Sequence, residues 1–97
     1  MSEWIRRRVV ISGRVQGVGY RAACAKVARG LGLSGSVRNL DDGNVEAVAV
    51  GPPSVVGQFT AWCRQGPRLA QVDRVTVTDE PAAAPEGAPA LSFRVVN

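Results

Sequence analysis

Gly13-Arg14-Val15-Gln16-Gly17-Val18-Gly19-Tyr20-Arg21 follows an apolar run, Val9-Val10-Ile11, and leads into a helical pattern. It reads as a strand, a glycine-rich turn and a helix start, closed by an arginine. Successive main-chain N–H groups in a tight turn converge on one point, and a helix N-terminus adds unpaired donors and partial positive charge. Glycine permits the turn and lets an anion come close to the backbone. The Arg21 guanidinium is a permanently charged planar fork that matches phosphate. Gln16, Gly17, Val18, Gly19, Tyr20 and Arg21 are therefore candidate phosphate-binding residues. The turn is neither a dinucleotide fingerprint, which needs three glycines at fixed offsets, nor a Walker loop, which needs Gly-Lys-Ser/Thr.

Working outward, residues 7–14 read as a first strand. Tyr20 to Leu31 carries apolar residues at Tyr20, Ala23/Cys24, Val27/Ala28 and Leu31, the spacing of a helix with one buried stripe. Arg29 and Gly30-Leu31-Gly32 supply a cationic last turn and a glycine stop. Ser34 to Asn39 is a short second strand, Asp42-Gly43 a hairpin turn, and Asn44 to Val50 an alternating third strand. Gly51-Pro52-Pro53 breaks the chain before a second helix, Ser54 to Gln65, with its stripe at Val55/Val56, Phe59 and Trp62/Cys63. Residues 70–79 form the fourth strand, and Glu80 to Ala90, rich in alanine and proline, is expected to be a flexible loop. Leu91 to Val96 closes the sheet as an edge strand. The order β-α-β-β-α-β plus a terminal strand predicts an α+β, ferredoxin-like sandwich: a mostly antiparallel sheet with two helices on one face.

The chain has 97 residues and a formal net charge of +4, with a pI near 10.0. One domain spanning 1–97 is expected. No stretch approaches the length of a membrane span, and the N-terminus lacks a signal-peptide apolar core, so a cytoplasmic protein is expected. There is no histidine, which excludes Ser-His-Asp and Cys-His machinery and any histidine general base. The two cysteines, Cys24 and Cys63, fall on separate helices and read as buried reduced thiols; no metal site and no cofactor are expected. The triplet Arg6-Arg7-Arg8 opens the first strand and reads as a solvated terminus. Asp42, Gly43 and Glu46 read as hairpin geometry and solvation of a strand face.

A second stretch decides between a bland turn and a phosphate site: Gly35-Ser36-Val37-Arg38-Asn39-Leu40-Asp41-Asp42-Gly43-Asn44-Val45-Glu46. With the first it resembles the two signatures of the acylphosphatase family, G-x-V-Q-G-V-x-[FY]-R and G-x-V-x-N-x-x-D-G-x-V-E, and every fixed position of both is filled. The likeness continues through Phe59 to Pro67 and Val72 to Val75, so it covers nearly the whole chain. Ser36 departs from the pattern, where members often carry an aromatic residue. Ala23-Cys24 departs too, where they frequently carry a hydroxyl.

The resemblance implies hydrolysis of the carboxyl–phosphate bond of small acyl phosphates to a carboxylate and inorganic phosphate, without metal or cofactor. It implies two catalytic residues: Arg21 binding the substrate and Asn39 positioning the attacking water. Taken alone, Asn39 also reads as an ordinary turn residue before Asp41-Asp42-Gly43. Topology favours a shared site, because a strand, crossover helix and parallel strand bring the carboxyl ends of strands one and two to the same edge. A monomer with no membrane or nucleic-acid partner is expected. The alternative is a non-catalytic phosphate-binding module of the same family, like the domains that open large hydrogenase-maturation proteins. An RNA-binding ferredoxin-like domain stacks bases on aromatics of its central strands, and strands one and three offer none.

Overall fold

The structure, a computed structural model, describes residues 3–83 and 92–97. Its elements are β1 (Trp4–Arg14), α1 (Tyr20–Gly30), β2 (Ser34–Asn39), β3 (Val45–Gly51), α2 (Pro53–Gln65), β4 (Gln71–Ala82) and β5 (Phe93–Val96). The sheet order is β4-β1-β3-β2-β5. β5 runs parallel to β2, and every other neighbouring pair is antiparallel. This is the ferredoxin-like α+β arrangement that the element order predicts.

The core follows from strand alternation. Val9 and Ile11 of β1, Val37 of β2 and Val45, Ala47 and Ala49 of β3 point to one face and are fully buried. The two helices cover that face. α1 contributes Tyr20, Cys24, Ala25 and Ala28; α2 contributes Val56, Phe59, Thr60 and Cys63. Small alanines on β3 and α1 let helix and sheet approach closely. Tilted ring pairs, Tyr20–Trp62 at 5.3 Å and Phe59–Phe93 at 5.7 Å between centroids, tie the two helices together and α2 to β5. Among the described residues the opposite face of the sheet carries no helix, and Val10 there is only half-buried between Val9 and Ile11.

Three sequence expectations are corrected. Glu80, Pro81 and Ala82 are not loop but the last residues of β4, opposite Arg6, Ile5 and Trp4 of a longer β1. β4 is an edge strand, where a proline lacking its N–H is tolerated. Residues 84–90 of the expected loop lie outside the described residues, as does Leu91. Next, Arg6-Arg7-Arg8 lies in the opening part of β1 as expected, but it is not a terminus left to solvent: each arginine is ion-paired. Arg6 meets Glu80 at 3.3 Å, Arg7 meets Asp79 at 2.7 Å, and Arg8 meets Glu46. Last, Glu46 is not a solvated strand-face residue: it is 9 % exposed, held between Arg8 and Arg38. A cross-strand partner on either side gives a central-strand carboxylate compensation that solvent would otherwise supply.

Candidate active site

β1 ends at Arg14, and Val15 to Gly19 turn the chain into α1. Gly19 is the helix N-cap, in the left-handed region at φ 80° and ψ 16°. There a side chain would strain the backbone, so glycine fits the position. No side chain caps this helix, and no acidic residue lies in its first turn. Its leading N–H groups therefore retain unmet donor capacity and a partial positive charge. Arg21, in the first turn, is partly exposed. A cation at that end of a helix is unfavourable by itself and becomes favourable when an anion sits between it and the helix.

Facing this turn is the C-terminal end of β2. Asn39 is its last residue, opposite Val45 of β3, and points to the same face as Val37. A cavity of about 200 Å³ lies between the two elements, lined by Gly17, Gly19, Tyr20 and Arg21 from one side and by Asn39 from another. Val15, Ala22 and Val95 complete the wall. The Asn39 side-chain oxygen is buried and has no hydrogen-bond partner among the described residues. A buried amide oxygen without a partner is costly, on the order of 1–3 kcal/mol, and calls for an explanation that a catalytic role would supply.

Gln16 and Val18, also predicted as phosphate contacts, are not among the cavity's lining residues. The Gln16 side chain instead donates both amide hydrogens across the site: Nε2 lies 2.8 Å from the carbonyl oxygen of Leu40 and 2.8 Å from that of Asn44. It fastens the turn to the β2–β3 hairpin. The hairpin adds its own ties, Leu40 N–H to the Asn44 carbonyl at 2.8 Å and Asn44 N–H to Asp42 Oδ1 at 3.0 Å. Tyr20, fully buried, anchors the other end of the turn by donating its hydroxyl to the Cys63 carbonyl at 2.8 Å. Burial raises its pKa far above the ordinary tyrosine range.

Sequence reasoning missed Val15, Ala22 and Val95. Val95 reaches the site only through the parallel pairing of β5 with β2, where it sits beside Val37; no local signal announces such a long-range pairing. A larger cavity, about 530 Å³, lies near Trp4 and Pro81, but its charged lining residues are the carboxylates Glu3, Asp79 and Glu80. That lining offers an anion no cation. Cys24 and Cys63 are both buried and unbonded to each other, and the contact with Cys63, followed by burial, pushes the Cys24 thiol up and away from reactivity. Among the described residues no group of three or more His, Cys, Asp or Glu could hold a metal ion, and no helix is long and apolar enough to cross a membrane.

The sequence profile of the Acylphosphatase family matches residues 7–89. The chain belongs to the acylphosphatase family. It is 54% identical over 78 residues to acylphosphatase 2 of Ralstonia nicotianae, covering 80% of this chain and 82% of that protein. To the acylphosphatase of Gloeobacter violaceus it is 47% identical over 87 residues, 90% of each chain. Among solved structures it is similar to an acylphosphatase from Bacillus subtilis, with a TM-score of 0.84 and 33% identity, covering 96% of this chain and 99% of that one. Acylphosphatases act on small acyl phosphates, and the enzymatic reading of this chain, a hydrolase, follows from that membership.

Proposed function

We propose that the cavity between the Gly17–Arg21 turn and Asn39 is where this acylphosphatase holds the phosphoryl group and attacks it with water. The observation that carries the assignment is the buried, unpartnered Asn39 side-chain oxygen in the same cavity as Arg21. The phosphoryl oxygens take the N–H groups at the start of α1 and the Arg21 guanidinium. The Asn39 carbonyl accepts a hydrogen bond from one water, which leaves the water's lone pair free to point at phosphorus.

Attack forms the new P–O bond as the bond to the acyl oxygen breaks. The leaving group departs as a carboxylate, and the water's proton passes to a phosphoryl oxygen. An amide is a poor general base, and the reaction does not require a strong one, because carboxylate is a good leaving group. Catalysis then rests on positioning and on charge stabilisation. The unbonded buried thiols suit a reducing compartment such as the cytoplasm.

The test is release of inorganic phosphate from benzoyl phosphate in the presence of a chelator, for the native chain and for Arg21→Ala and Asn39→Ala. Turnover by the native chain and its loss in both variants is the expected result. Full rate in either variant would overturn the assignment of that residue. Phosphate binding without turnover would favour the non-catalytic module.

A further inference from the structure

Glu46 is a fixed position of the second signature, yet it lies on the face of the sheet opposite Arg21 and Asn39. Its alternation with Val45 and Ala47 places it on the helix-free side. It is buried and accepts one hydrogen bond on each oxygen: Arg8 Nε at 2.5 Å and Arg38 Nε at 2.8 Å. Both arginines are about half exposed, at 51% and 49% of their side-chain area. Each is held through Nε, and among the described residues its terminal nitrogens, the fork that pairs with phosphate, make no hydrogen bond.

The same face carries more guanidiniums. Strand alternation adds Arg6 of β1, Arg74 of β4, opposite Ser12, and Arg94 of β5, opposite Ser36. Among the described residues Arg6, Arg8, Arg38, Arg74 and Arg94 stand on this face with the carboxylates Glu46 and Glu80, and Asp79 shares the groove lined by Arg6, Arg8 and Glu46, so the face carries a net positive charge. Arg74 and Arg94 have no salt-bridge partner among the described residues. Between the arginines stand the exposed hydroxyls of Thr76 and Thr78.

The arginines are spread over both edge strands and across the sheet, about 19 Å for five strands. A small anion would engage one cluster; only an extended polyanion would engage them together. Against the sequence expectation of no nucleic-acid partner, we propose that the helix-free face binds the phosphate backbone of a single-stranded nucleic acid, independently of base sequence. The guanidinium fork and the hydroxyls match phosphate oxygens, and Trp4, at the first position of β1, is the one aromatic of the described strands on this face, so contact rests on phosphate rather than on a row of stacked bases. This binding is separate from the hydrolytic site on the helix-covered face and does not depend on it.

The test measures anisotropy of a fluorescein-labelled oligouridylate long enough to cross the sheet, over a salt series, with the native chain, R74Q/R94Q and R64Q/R68Q. Both double variants lose two positive charges. Arg64 and Arg68 lie on α2 and the turn after it, away from this face. R74Q/R94Q is expected to weaken binding by roughly five-fold or more and to flatten the log–log salt slope by about 1.4, the value for two phosphate contacts to a single strand. R64Q/R68Q should change little, and benzoyl phosphate hydrolysis should be unaffected in R74Q/R94Q. Equal weakening by both pairs would mean net charge alone and would overturn the proposal. So would equally effective displacement by polyglutamate of matched charge, which would assign the surface to acidic polypeptides instead.

Discussion

The Gln16 side-chain nitrogen sits 2.8 Å from the carbonyl oxygen of Leu40, the residue that follows Asn39. The turn proposed to cradle the anion and the strand end that carries the Asn39 amide are thus joined through one side chain. Its second bond, to Asn44, doubles the link. Removing it in Gln16→Leu should cost about 1–2 kcal/mol, since both carbonyls keep a partner within the hairpin, Gly43 N–H for Leu40 and Leu40 N–H for Asn44. Because the two halves of the site would lose their common reference, kcat should fall more than KM rises. Urea melts and steady-state benzoyl phosphate kinetics on the same preparation check both statements.

Asn39→Ala should separate activity from stability. The variant loses the water contact, so kcat should drop on the order of 100-fold. It also removes a buried acceptor that has no partner among the described residues, so the melting temperature should hold or rise rather than fall. A clear loss of stability in this variant would mean that the amide is a structural bond.

Arg21→Lys keeps the charge and loses the planar fork. It should recover only part of what Arg21→Ala loses, seen as a raised KM and weaker competitive inhibition by inorganic phosphate. Restoration to native values would mean that a point charge is enough.

Tyr20→Phe removes the bond to the Cys63 carbonyl from a fully buried position. It should cost about 1 kcal/mol and leave KM for benzoyl phosphate within error, since the ring still packs on Trp62. Differential scanning calorimetry with kinetics reads both.

The acid limb of stability should depend on Glu46 and Asp79. Burial by itself would raise the Glu46 pKa, but hydrogen bonds from Arg38 and Arg8 outweigh it and the net shift is downward from 4.5. The hydrogen bond from Arg7 likewise lowers Asp79 below 3.8. A carboxylate with a depressed folded-state pKa stabilises above its unfolded value and loses that contribution as pH falls through the folded one. Stability should therefore be level from neutral pH down to about 5 and decline below 4.5, with a shallower decline in Glu46→Gln. Chemical denaturation across that range checks the sign.

Much of this was written locally in the chain. The helix stripes through Tyr20–Ala28 and Val56–Cys63, the Asp42-Gly43 hairpin and the alternation of Val45, Ala47 and Ala49 each follow from periodicity or turn chemistry within a dozen residues. The two signatures located Arg21 and Asn39. What escaped was set by partners far along the chain. Glu80-Pro81-Ala82 has a loop's composition and becomes strand only because Trp4–Arg6 lies beside it. Gly13 falls within the expected first strand, but nothing local announces the register shift beside it, where a Cβ would run into the Gln71 carbonyl oxygen. Glu46 looks solvent-facing by alternation alone, and only the cross-strand positions of Arg8 and Arg38 explain its burial.

Pro81 on the outer strand has one more effect. A sheet border with free N–H groups invites another chain to dock onto it and grow a fibril. Pro81 has no N–H to offer, the neighbouring Asp79 and Glu80 are charged, and the other border, β5, is only four residues long. Concentrated solutions should for that reason resist amyloid-like stacking, and exchanging Pro81 for valine should shorten the lag before thioflavin fluorescence appears.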